Sequence, residues 1–237
     1  MQKIAIIIPC YNEELRLDFD KVTTFLQQSN ISVYFANDGS TDKTAELALE
    51  FIKHNSSNCF LINYKKNVGK ANVIYKSIQT ISGYNKYDAV AYFDADFSTP
   101  ASEMTRLINE QEKTNADFVL ASRVLLLNSG IKRKKLRHYI GRFILTFINI
   151  KFDLAIYDTQ CGAKVFSKRV IPIAFSKPFF TSWLFDVEIL IRLKQQNLIK
   201  NGKEITITNW KDVEGSKLSW KSGFKILREL YLIYTKY

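Results

Sequence analysis

At 237 residues, with 46% hydrophobic and 24% charged side chains, the chain has enough apolar surface for one large α/β domain, and its composition excludes disorder. A net charge of +11 implies an anionic partner, whether nucleic acid, an anionic membrane surface or a phosphorylated substrate. Three well-separated cysteines, Cys10, Cys59 and Cys161, and two histidines argue against a disulfide framework or a zinc site, so a cytoplasmic protein is expected.

The run Ile4-Ala5-Ile6-Ile7-Ile8 predicts a strand buried on both faces of a parallel sheet. It is too short for a signal-peptide core and runs into the loop Pro9-Cys10-Tyr11-Asn12-Glu13-Glu14. A helix over 20–28 and a strand over 32–36 follow. The turn Asn37-Asp38-Gly39-Ser40-Thr41-Asp42 comes next, in which Thr41 or Asp42 can cap a helix reaching Lys53. A strand over 59–64 leads to Asn67-Val68-Gly69-Lys70, which opens a helix through 81. The strand over 88–93 ends in Asp94-Ala95-Asp96, and a helix over 103–112 and a strand over 117–121 complete the pattern. Strand and helix alternate throughout, which predicts right-handed βαβ units and a mostly parallel, twisted sheet flanked by helices. Ligands then bind beyond the carboxyl ends of the strands, where these polar loops collect.

Each loop carries a group suited to a nucleotide. Asp38 can accept from a base N–H and Lys70 can meet phosphate, although a lysine opening a helix is also an ordinary solvated side chain. Asp94 and Asp96 share a face if the strand continues through them, and two hard oxygen ligands suit Mg²⁺ or Mn²⁺ held jointly with phosphates. A solvated turn is the plain alternative. No Gly-x-Gly-x-x-Gly follows the first strand and no Walker A sequence occurs, so a Rossmann dehydrogenase and a P-loop NTPase are both disfavoured.

Cationic density peaks in the basic loop 131–142, which includes Arg137 and runs into the apolar stretch 143–148. An anionic lipid surface ranks first as its partner, a solvated loop second and nucleic acid third, since no nucleic-acid-binding motif supports the last. The apolar stretch is too short to span a bilayer. The segment 222–237 reads as a C-terminal amphipathic helix that packs on the domain or lies in the membrane interface.

Four motifs in order resemble those of family 2 glycosyltransferases with the GT-A fold. They are Ile7-Ile8-Pro9-Cys10-Tyr11-Asn12-Glu13, Asn37-Asp38-Gly39-Ser40-Thr41-Asp42, Asn67-Val68-Gly69-Lys70 and Asp94-Ala95-Asp96. The resemblance implies a single GT-A domain over 1–237, with a nucleotide-sugar-binding half over 1–121 and an acceptor-binding half over 122–237. It implies a nucleotide-sugar donor, a divalent metal and inversion at the anomeric carbon. Pro9, Tyr11, Asn12, Glu13 and Asp38 would line the base and ribose pocket with Lys70 nearby, and Asp94, Ala95 and Asp96 would meet the metal and diphosphate. Ala71 stands where many members carry glycine.

Asp158-Thr159-Gln160-Cys161-Gly162-Ala163-Lys164-Val165-Phe166, Trp183 through Leu190, and Trp210 with Glu214 through Ser219 resemble the polyprenyl-phosphate branch of that family. That branch includes the dolichyl-phosphate glucosyl- and mannosyltransferases. By this resemblance Arg123 faces phosphate, Asp158 sits by the acceptor and Lys217 lies on a loop that closes over phosphates. Trp183, Asp186, Glu188 and Arg137 belong to the acceptor side. Asp186 and Glu188 are two apart on a helix, so at most one faces the reaction centre. The expected activity is hexose transfer, with glucose and a uridine donor favoured, to a polyprenyl phosphate at the inner face of a membrane. An integral-membrane partner is compatible with this, and nucleic acid is not expected. A soluble family 2 enzyme using a sugar hydroxyl and a non-catalytic nucleotide-binding protein are the alternatives.

Overall fold

The side chains of Ile4 to Ile8 are completely buried because β1 (Ile4–Cys10) lies inside the sheet with a strand on each edge and an apolar cluster over each face. Alternation along the strand divides them. Ile4, Ile6 and Ile8 join one cluster with Val22 and Phe25, while Ala5 and Ile7 join the other with Val73 and Ile74. Each buried isoleucine contributes roughly 1.5–3 kcal/mol relative to exposure. The computed structural model describes all residues except 56, 83–85, 128, 133, 134 and 212–219, together with the side chains of all but 82, 132, 135–138 and 220–223 among them.

After β1 come α1 (Phe19–Leu26), β2 (Ile31–Asp38), α2 (Thr44–His54), β3 (Cys59–Tyr64), α3 (Lys70–Ser82), β4 (Ala89–Phe93), α4 (Ala101–Thr114) and β5 (Phe118–Ser122). The second half contains β6 (Gly130–Lys132), α5 (Lys135–Phe152), β7 (Ala163–Ser167), α6 (Ile171–Ala174) and α7 (Phe185–Gln195). It closes with β8 (Gly202–Thr206), β9 (Asn209–Lys211) and α8 (Trp220–Lys236). Seven strands form one sheet in the order β3-β2-β1-β4-β7-β5-β8. All neighbours are parallel except β7, which runs antiparallel between β4 and β5. β6 and β9 pair separately. The expected mostly parallel sheet flanked by helices is therefore the fold.

Two local expectations change, and one alternative is decided. β1 and β2 each run two residues further than expected, so Pro9 and Cys10, and Asn37 and Asp38, belong to strands rather than to the loops that follow. β4 stops at Phe93, and the chain turns at once, with the Phe97 N–H donating to the Asp94 carbonyl at 3.2 Å. The extended form does not persist through Asp96, because Phe97 adopts a left-handed φ of 50° that swings its ring into the core against Phe25 and Phe93. The stretch 131–142, expected as a basic loop, instead contains the end of β6 and the first turns of α5. Helix wins there because Ile144, Leu145 and Ile148 need one buried face.

The C-terminal helix is pinned by one carboxylate. Glu229 on α8, 5% exposed, accepts the backbone N–H groups of Ser182, Trp183 and Leu184 and the Ser182 hydroxyl at 2.8–3.1 Å. These amides lead into α7 and have no helical partner of their own. Glu229→Ala leaves buried donors unsatisfied at roughly 1–3 kcal/mol each. The expected result is a loss of about 3 kcal/mol in stability, read as a lowered Tm, with Glu229→Gln losing less.

Candidate active site

The site collects at the carboxyl ends of β1, β2 and β4, where strand hydrogen bonding stops and the loops bind one another. Asn12, at a left-handed φ of 54°, turns the first loop toward the second. Its N–H donates to the Ser40 hydroxyl at 3.0 Å and its side-chain oxygen accepts from the Thr41 N–H at 2.9 Å. The Glu13 N–H donates to the Thr44 hydroxyl at 2.8 Å, and the Glu14 N–H to Asp42 at 3.1 Å. Asp42 also accepts the Thr44 N–H at 3.0 Å, so it steadies the start of α2 while tying in the first loop. Glu13 pairs with Arg16 at 2.7 Å. Pro9, Tyr11, Asn12 and Glu13 thus sit on a ledge already braced before any ligand arrives.

Asp38, only 2% exposed, reaches the third loop. Its two oxygens accept the Val68 and Gly69 N–H groups at 2.7 and 2.8 Å. Burial pushes the Asp38 carboxyl above its usual range, and the two amide bonds offset this only in part. Its contacts are with backbone, so in the free protein it acts first as a brace. Gly39 makes the close approach possible. Its φ is +66°, and a Cβ there would lie 2.6 Å from the Lys66 carbonyl carbon.

Lys70, at the start of α3, places its ammonium 2.5 Å from Asp94 Oδ1. Desolvation works against that charge, but the carboxylates of Asp94, Asp186 and Asp96 outweigh it and hold the Lys70 pKa above its ordinary value. Asp96 accepts the Ser98 N–H at 3.0 Å and stays partly exposed, as does Asp94, with Ala95 buried between them. Among the described residues, no group of three or more His, Cys, Asp or Glu side chains could hold a metal. An ion at the Asp94–Asp96 turn would take its other ligands from diphosphate oxygens and water, and the hard carboxylate pair fits Mg²⁺ or Mn²⁺ on those terms.

Behind Asp94 lies a buried polar cluster. The Tyr92 hydroxyl donates to Asp186, and Lys164, 1% exposed, sits 3.0 Å from the same carboxylate and 2.5 Å from the Cys161 carbonyl. Burial, then the Asp186 charge, raises the Tyr92 pKa well above its ordinary value, so the phenol stays a donor. Beside it, Arg123 grips Asp158 with both arms of its guanidinium at 2.7 and 2.9 Å and with its backbone N–H at 3.0 Å. Despite the desolvation cost, Asp158 holds the Arg123 charge firmly on. The guanidinium also lies over the Trp210 ring, 5.1 Å from its centroid. Glu204 on β8 accepts the Tyr157 and Asp158 N–H groups at 2.8 and 2.6 Å and so sets this loop.

The structure therefore brings Lys70, Asp94, Asp96, Asp186, Arg123 and Asp158 together. Glu188 is not among them. It is fully buried and accepts from the Thr181 N–H and hydroxyl at 2.7 and 2.6 Å, from the Tyr237 hydroxyl at 3.0 Å and from Arg192 at 3.5 Å. It anchors the turn before α7, as the two-residue spacing from Asp186 requires. Trp183 lies on that turn, half-buried against the core. Lys217 and the side chain of Arg137 fall outside the described residues.

The model of the family described as Glycosyl transferase family 2 matches residues 5–172. The chain belongs to that family. The transferase is 30% identical over 250 residues to a dolichyl-phosphate beta-glucosyltransferase of Dictyostelium discoideum, covering 99% of this chain and 74% of that protein. A human dolichyl-phosphate beta-glucosyltransferase is 28% identical, with 100% and 76% covered. Among solved structures, mannosyl-3-phosphoglycerate synthase from Rubrobacter xylanophilus superposes with a TM-score of 0.71 at 16% identity, covering 97% of this chain and 73% of that one. Glucosyl-3-phosphoglycerate synthase from Mycobacterium tuberculosis, solved with Mn²⁺, uridine diphosphate and phosphoglyceric acid, gives 0.68 at 14%, covering 97% and 78%. These superpositions establish the shared GT-A fold. The transferase has no helix, among its described residues, long and apolar enough to cross a membrane.

Three residues that shape the candidate site escaped the sequence reading as individual residues: Tyr92, Lys164 and Glu204. Tyr92 was read only as part of the strand over 88–93, and Glu204 lies in a stretch to which no element was assigned from sequence. For Lys164 one signal existed, a lysine centred in the otherwise apolar run 163–166.

Proposed function

We propose that the transferase moves a hexose, glucose in first place, from a uridine diphosphate donor to a polyprenyl phosphate, with inversion at the anomeric carbon, at the inner surface of a membrane. The observation that carries this reading is the engagement of the carboxylates nearest the Asp94–Asp96 turn. Asp158 is locked by Arg123, and Asp186 is held by Lys164 and Tyr92. The oxygens of both carboxylates are thus already taken up by donors of the protein. A sugar hydroxyl would need a base within hydrogen-bond reach. A phosphate monoester, with its second pKa at about 6, arrives largely ionised and needs only to be placed and screened. The likeness to dolichyl-phosphate beta-glucosyltransferases over nearly the whole chain supports the same acceptor class.

In this scheme Pro9, Tyr11, Asn12, Glu13 and Asp38 receive the nucleoside. Asp94 and Asp96 hold the divalent ion, which when bound neutralises the leaving diphosphate. Lys70 releases Asp94 to that role and turns its charge to the phosphates. Arg123, fixed in direction by Asp158, screens the incoming acceptor phosphate, with Lys217 as a second cation and Trp183 and Arg137 along the lipid's approach. The acceptor oxygen forms its bond to the anomeric carbon as the bond to the diphosphate oxygen breaks, so no proton has to be removed.

The test is label transfer into the organic phase with purified protein, polyprenyl phosphate, Mg²⁺ or Mn²⁺, and separately labelled UDP-glucose, UDP-galactose, UDP-N-acetylglucosamine and GDP-mannose. UDP-glucose should label the lipid, and a chelator should stop it. Label appearing only on sugar hydroxyls, or no lipid product from any donor, would overturn the acceptor assignment.

A further inference from the structure

One rung of the sheet carries three polar side chains among apolar ones. Across β1, β4, β7, β5 and β8 the paired residues are Ile7, Tyr92, Lys164, Leu120 and Glu204. Residues paired in this way point to one face, and Ile7, Tyr92 and Leu120 lie in the same apolar cluster there. Tyr92 and Lys164 are buried and Glu204 is half-buried, so their polar atoms are costly unless satisfied. Each of the three is satisfied by groups that border the site. Tyr92 and Lys164 bind Asp186, and Lys164 also binds the Cys161 carbonyl. Glu204 binds the loop between α5 and β7, taking the consecutive N–H groups of Tyr157 and Asp158 at 2.8 and 2.6 Å.

Two amides on one carboxylate fix the direction in which this loop runs past the sheet. Asp158 is the residue so aimed, and its side chain in turn grips the Arg123 guanidinium at 2.7 and 2.9 Å, with Trp210 against the guanidinium face. Glu204, Asp158 and Arg123 are therefore linked in series from the edge strand β8 inward. The same loop is also held from α5, where Asn149 donates to the Ile156 carbonyl at 2.8 Å and Arg142 to the Tyr157 carbonyl at 2.9 Å. Those bonds act on carbonyls upstream of Asp158, whereas Glu204 acts on the Asp158 amide itself. A group placed to about 0.5 Å needs such a support behind it.

We propose that Glu204 is a positioning residue that, through Asp158, fixes the direction of the Arg123 guanidinium and thereby the affinity of the site for the acceptor phosphate. The inference rests on the proposed reaction, in which Arg123 screens that phosphate, and its test separates the two. Wild type, Glu204→Gln and Glu204→Asp would be compared with UDP-glucose, Mn²⁺ and a short, water-soluble prenyl phosphate. Glutamine keeps the shape but turns an N–H toward one of the two amides, while aspartate keeps both oxygens on a shorter arm. Each should raise the KM for prenyl phosphate by about tenfold and leave the KM for UDP-glucose unchanged. A purely structural role would lower the Tm without that selective rise. Arg123→Ala alone should raise the same KM, and adding Glu204→Gln to it should change nothing further, because Glu204 acts through Arg123. Two effects that multiply independently, or an unchanged acceptor KM in the folded Glu204 variants, would overturn the proposal. If the glutamine variant does not fold, the aspartate variant carries the comparison. In protein labelled with ¹⁵N-arginine, the Nε–H resonance of Arg123, identified by its absence from Arg123→Lys, should shift in the Glu204 variants. An unmoved resonance would also overturn the proposal. If wild type transfers to no prenyl phosphate, the reaction reading fails, while this resonance still decides whether Glu204 sets Arg123.

Discussion

Asp96→Ala should abolish sugar transfer, lowering kcat by about 10³-fold, the scale expected when a group stabilising transition-state charge is removed. Asp96 is partly exposed, and the bond it accepts from the Ser98 N–H lies within its own turn. Stability should therefore shift by no more than about 1 kcal/mol, the usual range for a surface change. Nucleotide binding separates the roles further. In the variant, calorimetry with uridine diphosphate should show weak binding that no longer depends on Mn²⁺, whereas wild-type binding should tighten with the ion. Asp96→Ala protein with full residual transfer would sink the assignment of the Asp94–Asp96 turn.

Gly162→Ala should cost activity without costing the fold, although position 162 never touches donor or acceptor in the scheme above. A Cβ there would sit 2.0 Å from Asp94 Oδ2 and 2.1 Å from the carboxyl carbon. The backbone cannot give way, because the Asp94 N–H donates to the Gly162 carbonyl at 3.0 Å and Ala163 is already paired with Phe93. The carboxylate must move instead, by about the 1 Å at which misplacement costs roughly 10²-fold. The expected signature is a kcat lowered by about 10²-fold, a raised metal requirement and a nearly unchanged Tm. Gly162→Ala with wild-type kcat and metal requirement would show that Asp94 is free to shift.

The first half of the molecule was legible because its strands are continuous β-branched or aromatic runs closed by polar turns, as at Ile4–Ile8 and Ala89–Phe93. The four loop motifs fall together for the same reason, since parallel strands deliver their carboxyl ends to one edge. Two kinds of information were hidden. Partners far apart in sequence, such as Tyr92 with Asp186 or Arg123 with Asp158, are set by strand order, which periodicity does not encode. Strands with buried polar side chains were hidden too. Lys164 reads as a break in an apolar run, yet its ammonium is satisfied by Asp186, the Cys161 carbonyl and the Tyr92 ring. The turn at Asp94–Phe97 stood only as the alternative to a continuing strand, because the left-handed Phe97 has no glycine or asparagine to announce it.

The antiparallel insertion of β7 has a consequence for how the chain must be made. β5 is complete at Ser122, but both of its sheet neighbours, β7 and β8, lie downstream in the sequence. β4 likewise waits some seventy residues for its second neighbour, since Phe93 pairs with Ala163. A ribosome emitting the chain from its N-terminus therefore produces two apolar strands with open edges well before their partners exist. Nascent chains halted between 122 and 163 would hold these edges bare, which makes that interval of translation the period of greatest aggregation risk and the time when chaperone capture matters most.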